Sequence, residues 1–322
     1  MFCTLIRRSA PVVAGAAALL ATVSMAEPVV ACGAHYEAPP APAPQPKGPA
    51  GAAATVTAPA QAAGAGERVA DGARWRGQVS TRGSVQQTRF GAPGETQIRV
   101  ADRRVELGGG VVAPQGWHAE VAVPVVHREA SFVNGGVEAA TSVGDLGLGV
   151  GRWWALPSLD VGVHGGVVAP TAPTLRDDEG VALSEDAQPG GGAWAPWVGT
   201  GARGTLRRGH WHADSVAFVP AASRFGLRTG ASVEVTGGGA WSPARPIALG
   251  AAASVRGAQA DRYGDARDPN SGGTLVQLSP SLSVTPVSPV QVTVGADVPV
   301  YDGLRGHQWV GPRWTLGVTW SS

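Results

Sequence analysis

Cysteine is nearly absent: the 322 residues hold two, Cys3 and Cys32. Cys3 falls in an amino-terminal stretch that reads as a cleaved signal, so the mature chain keeps one thiol and no intrachain disulfide can staple it. Charge is scarce too, at 15% of residues with a net +1, which removes the electrostatic case for a nucleic-acid partner. Tyr and Phe number only 3 and 5. Past the amino terminus no apolar run approaches the roughly 20 residues of a membrane-spanning helix. What the chain has in quantity is Gly, 47 residues, and it carries 11 Trp. With Gly this frequent, and an apolar share that comes mainly from Ala and Val with no long Leu-rich runs, the composition is a poor recipe for a helical protein.

Residues 1–26 combine Arg7 and Arg8, an apolar stretch and Ser24-Met25-Ala26, the pattern of a secretory signal. The alternative boundary is 1–31, in which VVAC at 29–32 acts as a lipobox and Cys32 is lipidated; Glu27 and Pro28 between motif and apolar stretch favour ordinary cleavage. Residues 27–66 form a Pro/Ala-rich linker with almost no large apolar side chain, expected to be disordered.

From about residue 73 apolar residues alternate with small or polar ones at a period of two. In GDLGLGVGRWWALPSLDVGVHGGVVAP, residues 144–170, Leu146, Leu148, Val150, Leu159, Val161 and Val163 take one face while mostly Gly takes the other. A soluble sandwich would put Thr, Lys, Glu or Ser on its wet face. A membrane barrel turns the apolar face to lipid and needs strands of about 9 to 11 residues. The predicted strands cover 73–82, 97–112, 117–128, 143–154, 159–169, 193–204, 209–219, 225–236, 246–257, 273–285, 290–301 and 309–321.

Connections after even-numbered strands are short, as in APQG at 113–116 and ALPS at 155–158, whereas the other set includes the long polar segments 170–192 and 257–273. Turns on the periplasmic side and loops outside are the asymmetry of an outer-membrane barrel. TGGGAWSPARP at 236–246 reads as an exception, a long connection in the short set. The expected fold class is therefore all-β, an antiparallel transmembrane β-barrel of about 12 strands within residues 67–322.

Trp sits near the predicted strand ends. Trp117, Trp154, Trp211, Trp241 and Trp320 fall on the turn side, and Trp194, Trp197 and Trp309, with Tyr301 and Phe225, on the loop side, as two aromatic girdles would. His118, Glu120, Asp160, His164, His210, His212, Asp214, Arg228 and Glu234 are expected to line the lumen. His210 and His212 share a face, but a third clear metal ligand is lacking. Gly147, Gly149 and Gly151 do not complete a G-x-G-x-x-G fingerprint. Asp261, Asp265 and Asp268 do not have EF-hand spacing, and no nucleophile elbow occurs. No metal, cofactor, catalytic residue or enzymatic activity is expected.

The segment 117–154, WHAEVAVPVVHREASFVNGGVEAATSVGDLGLGVGRWW, resembles a family of outer-membrane barrel proteins described as transporters and named after the meta-cleavage pathway of phenol degradation. The likeness rests on PVVHR, Pro124 to Arg128, and on Gly144, Asp145, Leu146, Leu148 and Gly149 of a GDL.LG strand. It implies residence in outer-membrane lipid, delivery by the barrel assembly machinery and passage of small, hydrophobic or aromatic molecules. Such barrels typically end on an aromatic residue, whereas here Trp320 is followed by Ser321 and Ser322. Two other readings stand beside the channel: a non-conducting structural barrel tethered to the envelope, and a secreted soluble β-sandwich or adhesin.

Overall fold

The computed structural model describes residues 75–322, Glu95 excepted; the signal segment and the whole linker 27–66, Cys32 included, lie outside the described residues. The wall consists of β1 (Arg76–Phe90), β2 (Ile98–Val112), β3 (Trp117–Phe132), β4 (Val137–Val143 and, after a break at Gly144 and Asp145, Leu146–Ala155), β5 (Asp160–Ala169) and β6 (Ala195–Leu206). It continues as β7 (Gly209–Phe218), β8 (Ser232–Ala244), β9 (Ile247–Ala258), β10 (Gly273–Val287), β11 (Val290–Leu304) and β12 (Gln308–Val310 and, after Gly311 and Pro312, Arg313–Ser321). Each strand pairs antiparallel with its successor, and β1 pairs with both β2 and β12, so the sheet closes on itself without an edge. A small ladder of Leu227–Arg228, Arg262–Tyr263 and Ala266–Arg267 stands apart from the wall.

Three strands differ most from the sequence expectation. β1 runs on to Phe90, β4 begins at Val137, and β8 spans Ser232–Ala244 instead of 225–236. The run Gly237–Gly239 followed by Pro243 looks like a turn in sequence, yet it lies inside a strand. Close packing asks for Gly at its centre: a Cβ on Gly238 would sit 2.5 Å from the Ala252 Cβ and 2.7 Å from the Ala251 carbonyl oxygen. The turn after β8 is then only Arg245 and Pro246, and the expected exception to the short set disappears. The turns 113–116, 156–159, 207–208, 245–246 and 288–289 gather at one end; the loops 170–194, 219–231 and 259–272 lie at the other, together with the shorter connections 91–97, 133–136 and 305–307.

The outer surface is apolar all the way round. Val79 on β1, Leu107 on β2, Leu148 on β4, Val163 on β5, Val198 on β6, Val235 on β8, Leu282 on β10 and Leu316 on β12 are all exposed. Soluble monomers rarely expose contiguous apolar patches beyond a few hundred Å², so this ring is a lipid-facing belt. The ten-residue strands β5 and β7, tilted by about 40°, span about 25 Å, the height of such a belt. A single closed sheet with this surface excludes the soluble sandwich. Val294, exposed at mid-strand on β11, gives a direct check: Val294→Arg should cost about 2–4 kcal/mol in urea titrations of the refolded protein in vesicles. Thr293→Arg, whose parent residue faces the lumen, should cost far less.

Candidate functional site: the lumen

Alternation fixes what faces inward, and across β3 to β7 the inward residues form a checkerboard of large side chains and glycines. Register pairs His118 with Gly151, Gly151 with His164, His164 with Gly199, and Gly199 with Val216. A parallel row runs Glu120, Gly149, Gly166, Trp197, Phe218. Each glycine is the floor on which a neighbour lies. A Cβ on Gly162 would meet the Trp153 ring at 2.6 Å, and one on Gly201 the same ring at 2.8 Å. Gly149 and Gly151 of GDLGLGVGRWW are likewise the room that Glu120, Trp197, His118 and His164 occupy. His164 and Trp197 lie with ring centroids 5.6 Å apart, Trp197 and Phe218 6.5 Å apart. The Arg203 guanidinium covers Trp153 at 4.5 Å and its Nε donates to Asp160 Oδ2 at 3.3 Å.

The remaining strands line the lumen with shorter polar groups and a charged belt. Arg128 donates to Asp102 Oδ2 from Nη2 at 2.8 Å and from Nε at 3.2 Å, and Arg104 approaches the same oxygen at 3.9 Å. Arg313 pairs with Asp297 at 2.6 Å, and Ser279 Oγ donates to that carboxylate at 2.6 Å. Arg82 stands opposite Glu106, and Arg256 opposite Glu234. Each guanidinium thus has a carboxylate partner or cross-strand neighbour, which keeps the belt near neutrality. Between the belt and the aromatic sector lies a cavity of about 590 Å³, lined by residues from Gln78, Thr319 and Ser321 at the turn end to Phe90, Leu304 and Gln308 at the loop end. Eight-stranded barrels fill with side chains, while sixteen or more strands leave a wide aqueous channel. This wall falls between, and its lumen is partly filled.

Loop 170–194 closes part of the outer mouth. Its Ala187 is fully buried against the inward residues Phe90, Ile98, Val100 and Ala130, with Leu183 and Phe132 alongside. Arg128 Nη1 donates to the Gln188 carbonyl at 2.8 Å. Gln188 is itself buried and holds the loop together, its Nε2 donating to the carbonyls of Leu175 and Leu183 and its Oε1 accepting from Leu175 N–H. Ser184 N–H donates to Glu138 Oε2 at 2.7 Å, and Tyr263 O–H to Glu185 at 2.6 Å. The neighbouring aspartates Asp261 and Asp268 serve loop structure: Asp261 accepts from Gly230 N–H, and Asp268 from Asn270 N–H. Burial pushes the Asp261 carboxyl up to about 6.

Of the residues read from sequence as lumen-lining, His118, Glu120, Asp160, His210, His212, Asp214 and Glu234 face the cavity, and His164 lies buried in the packed sector beside it. Arg228 does not. It sits exposed in the small outer ladder, opposite Arg262, because β8 starts four residues later. Among the aromatic residues, Trp117, Trp154 and Trp241 are exposed near the turn end and Trp194 and Trp309 near the loop end. Trp211 lies opposite Gly204, and Trp320 opposite Val79. Trp197 is a correction: it is 5% exposed and packed inside, since it stands an odd number of residues from the exposed Trp194. Sequence reading missed Trp153, Arg82, Arg104, Glu106, Arg256 and Arg313, whereas Asp297 falls on the lumen face that alternation with Val294 and Val298 gives it. The signal for Arg82 was present, because Gln78, Ser80, Arg82, Ser84 and Gln86 alternate with Val79 and Val85 once β1 is carried past residue 82. Among the described residues no group of three or more His, Cys, Asp or Glu side chains is placed to hold a metal ion.

No protein-family model and no curated protein matches the sequence. Solved structures do. An outer-membrane channel from Pseudomonas putida F1 superposes with a TM-score of 0.58 at 14% identity, covering 77% of this chain and 95% of that one. The fold is that of an outer-membrane barrel. The KdgM porin (TM-score 0.44, 7% identity, 76% and 98% covered) and a deltaS2S3 mutant of the TodX monoaromatic hydrocarbon channel (TM-score 0.44, 10% identity, 77% and 90% covered) are more distant matches.

Proposed function

We propose that this protein is an outer-membrane channel for small polar solutes. The observation that carries the reading is the cavity of about 590 Å³, whose lining reaches both ends of the barrel and is studded with Ser, Thr, Gln and charges of both signs among small Gly and Ala. Such a wall replaces the hydration of a polar solute with hydrogen bonds, and its near-balanced charge favours neither anions nor cations. Aromatic molecules, the class implied by resemblance to the transporters named after phenol degradation, fit where they carry a hydroxyl or carboxylate that the belt can bind. His210, His212, Glu120 and Asp214 would then contact solute on one side and the arginine belt on the other, while the outward Trp residues anchor the barrel at the two interfaces.

Proteoliposome swelling tests this. Small sugars, amino acids and hydroxylated aromatics should enter at similar rates. Salt-gradient reversal potentials should show weak ion selectivity. Swelling no faster than that of empty liposomes would instead favour the non-conducting structural barrel, for which the packed sector of β3 to β7 is the supporting feature.

A further inference from the structure

We propose that loop 170–194 is the size filter of this channel, an inserted wall held in the outer lumen by Asp145 and Arg128. The inference rests on the channel reading above. Asp145 occupies the break in β4, where the strand leaves its ladder for two residues. Its Oδ1 accepts from Ala172 N–H at 3.1 Å and its Oδ2 from Gly191 N–H at 2.7 Å. One carboxylate therefore ties the start of the loop to its end. Thr171 Oγ1 adds a third tie, accepting from Leu146 N–H at 3.0 Å. The preceding Gly144 lets the chains come together, since a Cβ there would lie 3.0 Å from Pro124 Cγ and 3.1 Å from the Pro189 carbonyl oxygen. Arg128 holds the middle of the returning segment through Gln188. Gly144 and Asp145, met in the sequence as a strand motif, thus work as a clamp.

Asp186 makes the clamp sensitive to pH. It is 3% exposed, and its Oδ1 has no hydrogen-bond partner among the described residues. Arg128 from β3, Glu138 from β4 and Glu185 from its own loop face it, and burial pushes its carboxyl up to about 7. A released loop returns Asp186 to an ordinary value of about 3.9. The sign follows: docking is strongest below about pH 4, weakens roughly tenfold per unit between about 4 and 7, and changes no further above 7. Acid closes the filter.

The test is single-channel conductance with a polymer-exclusion series on wild type, Asp145→Ala, Asp186→Asn and a variant with Pro173 to Pro189 replaced by a short Gly-Ser linker. Each is first shown to be folded by heat-modifiable migration. Asp145→Ala should shift the loop toward release by roughly tenfold for each charge-assisted bond lost, raising both conductance and the polymer cut-off. The linker variant should do so fully. Wild-type conductance should climb between about pH 4 and 7 and level off above 7, and Asp186→Asn should stay at the low acid level. Equal conductance and cut-off in wild type, Asp145→Ala and the linker variant would overturn the filter. A wild-type pH profile as flat as that of Asp186→Asn would overturn its pH coupling. Silence of all variants, the linker variant included, would overturn the channel reading itself and the filter with it.

Discussion

Gly166→Val leaves no folded barrel. Gly166 stands on β5 between Gly149 and Trp197. A side chain there would overlap the Leu148 carbonyl oxygen and lie 2.7 and 2.8 Å from two atoms of the Trp197 indole. An indole can rotate away, but the carbonyl belongs to a paired strand and cannot. Ordinary overpacking costs about 1–3 kcal/mol, and a clash with backbone on one side and a buried ring on the other exceeds that range. The expected result is loss of the fast-migrating unheated band and no recovery on refolding into vesicles. Trp197→Ala in the same background should restore little, because it relieves only the ring. Gly257→Ala is the control, since nothing lies within 4 Å of its added Cβ.

Arg128→Met is the second large effect. Arg128 is 4% exposed and serves two partners at once, Asp102 in the wall and Gln188 in the loop. Removing it leaves Asp102 with only the longer approach of Arg104 and strips the loop of its tie to β3. Breaking a buried ion pair on one side costs about 3–5 kcal/mol. A urea midpoint shift of that size is expected, with larger polymers admitted by whatever barrel remains. Asp102→Asn should cost less alone, because the carboxylate side chain is 23% exposed against 5% for the guanidinium, and the guanidinium keeps its carbonyl partner. The double variant should be less destabilised than the sum of the two, with a coupling of about 1–3 kcal/mol. Strict additivity would mean that the two side chains act independently.

Both results bear on what the sequence could reveal. The period of two survives in any strand, so alternation showed the closed all-β wall, the strand order and the loop asymmetry before any coordinates. Boundaries were less legible where glycine and proline carry two meanings. Gly237–Gly239 signals a turn when read locally and a tight cross-strand contact when Ala251 and Ala252 lie opposite. Reading the turn displaced β8 and carried Arg228 into the wall. Inward and outward faces were legible wherever parity was followed: Trp153 and Trp154 are adjacent, so one must face in. The descent of loop 170–194 into the lumen was not legible, because its anchors Arg128, Glu138 and Asp145 are distant in sequence and belong to the wall. Asp145 could be picked out as part of a motif, but its task appears only when Ala172 and Gly191 are seen meeting on one carboxylate.

The central claim is that the lumen conducts, and planar-bilayer recording of the refolded protein tests it most directly. The account predicts steady, discrete openings with weak ion selectivity and a conductance that rises as pH is brought from about 4 to 7. A folded, heat-modifiable barrel that stays silent across that range would contradict it.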